Sequence, residues 1–146
     1  MKKFSITLLP LLLTFAVLQA ESAPLDEDVS SLLSNYDKET LTEISNELIK
    51  MANEEHASLE YELASSHYNR ALQIREAIGL SNHKSFASIL YLASVTNSKA
   101  GNYCMASEQA KRASESFSIH GVTKYVEKAS KEHSEYRKAC GVLAFK

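Results

Sequence analysis

Tryptophan is absent from this 146-residue chain, which has only two prolines, four glycines and two cysteines. The prolines stand at positions 10 and 24 and every glycine lies after residue 78, so long stretches contain neither of the residues that ordinarily break a helix. That scarcity argues against an all-β chain, which needs frequent turn residues, and no segment alternates at the two-residue period of a half-buried strand. Nor is there a surplus of positive charge, since 16 Lys and Arg stand against 18 Asp and Glu. Nucleic acid, whose phosphates require clustered cations, and an anionic membrane surface are both without electrostatic support.

What is present begins with Lys2 and Lys3, continues through an uncharged apolar run over residues 4–18, and ends at Gln19 and Ala20. Charged start, apolar middle and small-residue exit are the parts of a secretory leader. The run is shorter than the ~20 residues a spanning helix needs, and Pro10 interrupts it. Cleavage is expected after Ala20, with Ala23 as the alternative exit, because Leu18 is bulkier than the residue usual two places before the cut. No cysteine follows the run, so a lipid anchor is not indicated and no membrane contact is expected after cleavage. Losing two lysines and no acids moves the formal charge from −2 to −4. The expected organisation is a leader over 1–20, an N-terminal segment over 21–40, a helical domain over 41–141 and a tail over 142–146.

Apolar residues recur at helical spacing through the rest of the chain. Val29, Leu32 and Leu33 suggest a short helix within 26–35. Leu41, Ile44, Leu48, Met51 and Ala52 mark the next, with Thr40 and Glu43 spaced as a capping box. Tyr61, Ala64, Tyr68, Ala71, Leu72 and Ile78 mark a helix ending at Gly79. Phe86, Ile89, Leu90, Ala93 and Asn97 mark one ending at Gly101, and Tyr103, Ala106, Ala110, Ala113 and Phe117 one ending at Gly121. The last stripe, Val122, Val126, Ala129, His133, Tyr136 and Cys140, is expected to end at Gly141. Connections of a few residues place neighbouring helices antiparallel and in contact. The fold class expected is all-α, built of stacked helical hairpins.

The stretches 61–76 and 103–118 superimpose at a fixed offset of 42, with Tyr61/Tyr103, Ala64/Ala106, Ser65/Ser107, Arg70/Arg112 and Ala71/Ala113 identical. A period in this range marks a solenoid, and small alanines at seven-residue spacing let helix backbones approach closely. With Tyr68, Leu72, Ile74, Glu76, His83, Ala87, Leu90 and Gly101 added, the pattern resembles the tetratricopeptide family in its 42-residue, kinesin-light-chain-like variety, over residues 41–118. The resemblance implies a short tetratricopeptide-like solenoid with 122–140 as its capping helix. Three departures stand out: Leu59 occupies the place of a turn glycine, Leu92 and Ala93 sit one residue too far from Gly101, and Ser114 and Ser116 replace the Leu72 and Ile74 of the first copy.

Cys104 opens one helix of the last hairpin and Cys140 closes the other, so antiparallel packing brings both thiols to one end. An exported chain with cysteines so placed is expected to form a disulfide; a redox pair is the weaker alternative, since no C-x-x-C motif is present. Glu54, Glu55, His56 and His67 approach where the first hairpin closes but lack the spacing of a zinc motif, and no phosphate loop, nucleophile elbow or paired carboxylates are visible. No metal, cofactor or catalytic residue is therefore expected, and the chain does not read as an enzyme.

The resemblance implies instead a groove gripping a peptide or partner protein, lined by Asn46, Ile49, Asn53 and His56 from the first hairpin and by Ser88, Tyr91, Val95 and Lys99 from the second. The reading is an exported interaction module, periplasmic or secreted, with a secreted factor acting on a host or competitor protein as the alternative. With barely two repeats, self-association is a further expectation, and the tail with Val142, Leu143 and Phe145 is a competing contact site.

Overall fold

The computed structural model describes Leu25 and residues 27–143. The expected leader, both exit positions and the end of the tail lie outside the described residues. Among those described, the chain is all-helical: α1 (Val29–Asn35), α2 (Lys38–Ala57), α3 (Tyr61–Ala77), α4 (Lys84–Lys99), α5 (Tyr103–Ile119) and α6 (Thr123–Leu143). Each helix from α2 onward packs on the next, and α1 packs on α3.

The first two helices start at a local carboxylate rather than at the expected capping box. α2 begins two residues before Thr40, because Asp37 accepts a hydrogen bond from the Thr40 amide (2.8 Å). An ionised carboxylate beside the free amides of a first turn is favoured by both the bond and the helix dipole. The amide and hydroxyl of Thr40 hold the Asp37 carboxyl below its usual range. Asp28 caps α1 in the same way, accepting from the Ser31 amide (3.0 Å) and from the Ser30 hydroxyl (2.5 Å).

Helix ends repeat one device. After α3, the Gly79 amide donates to the Glu76 carbonyl and the Leu80 amide to the Arg75 carbonyl; Gly101 with Asn102, and Gly121 with Val122, make the equivalent pairs. These are Schellman turns, whose third residue takes a left-handed backbone. The turn closing α2 is built identically, but its left-handed residue is Leu59, at φ 66°. Leu59 stands 42 residues before Gly101, so the backbone geometry of the repeat persists where the glycine does not. Gly141 behaves otherwise: α6 runs through it to Leu143, and the expected stop there is corrected. Gly141 lacks the left-handed backbone that Gly79, Gly101 and Gly121 take.

Antiparallel packing is visible in the side-chain pairs. Tyr68 donates to Asn53 (2.6 Å), His67 to Glu55 (2.7 Å) and Arg75 to Ser45 (3.1 Å) and Asn46 (2.5 Å), one partner rising in number as the other falls. Two apolar clusters fill the interior. Leu32, Leu41, Ile44, Leu48, Ala71 and Ile74 join α1, α2 and α3, while Tyr68, Leu72, Phe86, Leu90, Phe117 and Ala129 belong to a cluster reaching from α2 to α6; Ile49 packs against both. Ala64, Ala71, Ala106 and Ala113 are wholly buried, as close helix approach requires. Ala93 and Ser94 are wholly buried too, the Ser94 hydroxyl donating to the Tyr91 carbonyl (2.7 Å) of its own helix.

At the far end of the last hairpin, Cys104 and Cys140 are disulfide-bonded, with Cα atoms 4.9 Å apart. This bond is compatible with an oxidising compartment. No described helix is long and apolar enough to cross a membrane.

Candidate functional site

Alternate helices share a side. Across one layer, His56 of α2 meets Thr96 of α4, and Tyr91 of α4 meets Glu132 of α6. Across the other, Gln109 of α5 donates to Asn69 of α3 (2.6 Å), and Arg112 of α5 pairs with Glu76 of α3. The eight residues expected to line a groove all come from α2 and α4, in the first of these layers.

Their states differ. Asn46, Asn53, Ser88 and Lys99 are exposed. Asn46 and Asn53 each accept from a residue of α3, Arg75 and Tyr68 respectively, which fixes the amide orientation and leaves the remaining donors toward solvent. Ile49 and Val95 are half-buried against the core and contribute packing. Lys99 lies over the Tyr61 ring, 5.0 Å from its centroid, and His56 meets the same ring edge-on at 5.3 Å. The Thr96 hydroxyl donates to the Leu92 carbonyl (2.8 Å), leaving His56 Nδ1–H as the donor to Thr96 Oγ1 (2.7 Å). Burial, then the Lys99 charge, lowers the His56 pKa.

Tyr91 departs most from expectation. It is only 8% exposed, and its hydroxyl donates to Glu132 Oε1 (2.6 Å). Burial and the Glu132 carboxylate push its phenol pKa up. The second oxygen, Glu132 Oε2, is shielded from solvent and makes no hydrogen bond of normal geometry among the described residues. Tyr91 is therefore a wall, not a free contact: its ring stands 6.1 Å from Tyr125 and 6.4 Å from Phe117, and Tyr125 stacks on Phe117 at 5.2 Å. Together with Ser88, Leu92 and Lys128 these rings line a cavity of about 280 Å³ between α4 and α6, with Lys128 Nζ 5.1 Å from the Tyr91 centroid. Tyr125 and Leu92 remain about 40% exposed at its rim.

The residues of α6 that complete this wall, Tyr125, Lys128 and Glu132, were absent from the sequence-based groove. Their spacing of three, four and seven puts them on one helix face, a signal readable in the sequence once α6 is treated as a third wall rather than a cover.

In the first hairpin the place of Phe117, 42 residues earlier, belongs to Arg75. That guanidinium is 8% exposed and donates to Ser45, Asn46 and Ser85, with no carboxylate partner among the described residues; desolvation lowers its pKa. One end of the layer thus holds a buried cation and the other an aromatic cavity. Of the four residues weighed for a metal, His67 is paired with Glu55 and His56 with Thr96. Among the described residues no group of three or more His, Cys, Asp or Glu is placed to hold a metal ion.

The chain matches no protein-family model, no curated protein and no solved structure.

Proposed function

We propose that this chain is an exported interaction module, a short tetratricopeptide-like stack whose α2, α4 and α6 side holds a peptide or a partner protein. The observation that carries the reading is the aromatic cavity between α4 and α6. Clustered rings with a rim half open to water are the composition of binding hot spots, where large rigid side chains give contact area at little entropic cost. Further support comes from the two layers of alternate helices, the repeated Schellman turns at a 42-residue offset and the buried Arg75, which reaches from α3 to Ser45 and Asn46 of α2. The disulfide suits a periplasmic or secreted setting.

A photo-crosslinking residue installed at Ser88 or Lys128 tests the proposal in extract of the producing cell. A discrete adduct from both positions, absent when the crosslinker stands at the exposed Glu62 of α3, is the expected result. Adducts from Glu62 with none from Ser88 and Lys128 would remove the proposal.

A further inference from the structure

The offset of 42 residues makes each position of the first hairpin a guide to its counterpart in the second. On the outer layer, Arg70 of α3 donates to the carbonyl oxygens of Leu25 and of Glu27. The Leu25 side chain packs against the cluster that contains Ile44, Leu48 and Ile74, with Ile78 at its edge. The backbone at Leu25 and Glu27 is therefore held at its carbonyls by a guanidinium, while the Leu25 side chain has an apolar seat.

The counterparts of Ile44, Leu48, Arg70, Ile74 and Ile78 are Phe86, Leu90, Arg112, Ser116 and His120. All five line a single cavity of about 240 Å³. It is open because Ser116 and His120 stand where the first hairpin has two isoleucines, so the apolar floor of Phe86 and Leu90 is kept while the filling is lost. Ile119, at the rim, is 82% exposed, whereas its counterpart is the small Ala77. A second cavity of about 320 Å³, running between α3 and α5 past Asn69, Leu72 and Met105, shares Arg112. Open groove thus extends to either side of that guanidinium. Its present partner, Glu76, forms an ion pair with both side chains about 40% exposed, a pair that water screens and a competing acceptor can replace.

We propose that this outer groove is a second docking site, taking a peptide segment like residues 25–27 of this chain, in which a bulky aliphatic residue is followed by acidic ones. The aliphatic side chain enters between Phe86, Leu90 and Ile119. Its neighbouring carbonyls accept from Arg112, as those of Leu25 and Glu27 accept from Arg70, and the acidic flanks stay in solvent, since Glu115 also lines the cavity. The site lies on the layer opposite the aromatic cavity and stands independently of the function proposed for that face.

The probe is a synthetic peptide of this chain's own residues 23–29, APLDEDV, titrated into isotopically labelled protein lacking residues 1–20. Amide shifts centred on Phe86, Ser116 and His120 are expected. Arg112→Ala should weaken binding about tenfold, the loss of roughly one charge-assisted hydrogen-bonding group. The double change Ser116→Ile and His120→Ile, which restores the first hairpin's filling, should abolish binding while leaving the helical spectrum intact. Leu92→Ser, on the other layer, should leave binding unchanged. Shifts confined to the surroundings of Arg70 would mean exchange with the chain's own arm and would overturn the proposal. So would indifference to Arg112→Ala, or no shifts up to about 1 mM peptide.

Discussion

The first and second hairpins are one design carried out with different side chains. Both close through a left-handed third turn residue, but the first uses Leu59 at φ 66° and the second Gly101 at φ 82°. Both carry an arginine on the outer layer, but Arg70 grips the backbone of an arm while Arg112 pairs with an exposed glutamate and lies over the Phe86 ring. Both hold a large residue near the end of the second helix, a cation in one case (Arg75) and an aromatic ring in the other (Phe117). The first hairpin is filled where the second is hollow. Their protection differs accordingly: α1 and the arm cover the first, whereas the second is secured by α6 and a covalent bond. The comparison teaches that backbone geometry in such a repeat is set by helix length, turn hydrogen bonds and buried alanines, and that side chains outside those positions are free to diverge toward binding.

The largest test of the contrast is the disulfide. Changing Cys104 and Cys140 to Ser should cost about 3–4 kcal/mol for a loop of this size, read as a lower denaturant midpoint. Amide exchange should quicken in α5 and α6 well before α2 and α3; uniform acceleration would mean that the two hairpins unfold as one unit. Next come the two arginines. Arg70→Ala removes charge-assisted bonds to two carbonyls and should cost about 1.5–3 kcal/mol, whereas Arg112→Ala loses a screened surface pair worth at most about 1 kcal/mol. Equal costs would show that the arm is not held in the way described.

A smaller effect separates the turns. Leu59→Gly should stabilise the chain by about 1 kcal/mol, since a left-handed backbone costs a leucine roughly 1–2 kcal/mol and glycine's entropy returns part of that. Gly101→Leu should destabilise it by a similar amount through backbone alone, because a Cβ there meets no atom within 4 Å. Thermal melts of both variants, and of the double exchange, would check the opposite signs.

The smallest effect is one of pH. The folded pKa of His56 is lowered below its unfolded value of about 6.5, so the folded state favours the neutral ring. Its contribution is fully present above that unfolded value and is lost as pH falls through the folded one. Stability should therefore decline on acidification below about pH 6.5, and His56→Gln should flatten that decline. An unchanged slope in the variant would assign the dependence to other groups. Asp28 and Asp37, whose pKa values are lowered by their cap bonds, should add a further loss as pH falls below about 4.

Much of the fold was legible because it rests on local rules. Spacing marked all six helices, glycines marked three of the turns, and the positions of Cys104 and Cys140 anticipated their pairing. The errors arose where one local signal outweighed another: Asp37 won over the Thr40 and Glu43 box, and Gly141 remained helical, without the left-handed backbone a glycine stop uses. The candidate site was less legible. A sequence identifies which residues share a helix face but not how closely the next helix approaches it. Tyr91 was readable as facing the groove; that Glu132 and Tyr125 would close over it depends on the α4–α6 distance, which no single-helix pattern records. The repeat itself also hid information, since Ser116 reads in the sequence as a departure from Ile74 of the first copy and lines an empty seat in the fold.

The bridge between Cys104 and Cys140 has a mechanical meaning as well. It short-circuits the chain across the mouth of the last hairpin, so tension applied at the C-terminus passes through sulfur into the base of α5 and bypasses the 36-residue span between. Pulled from its ends, the molecule would surrender length only from its N-terminal side, peeling α1 to α4 while α5 and α6 stay folded back on each other. A partner seated between α4 and α6 would then feel one wall withdraw while the other held its shape.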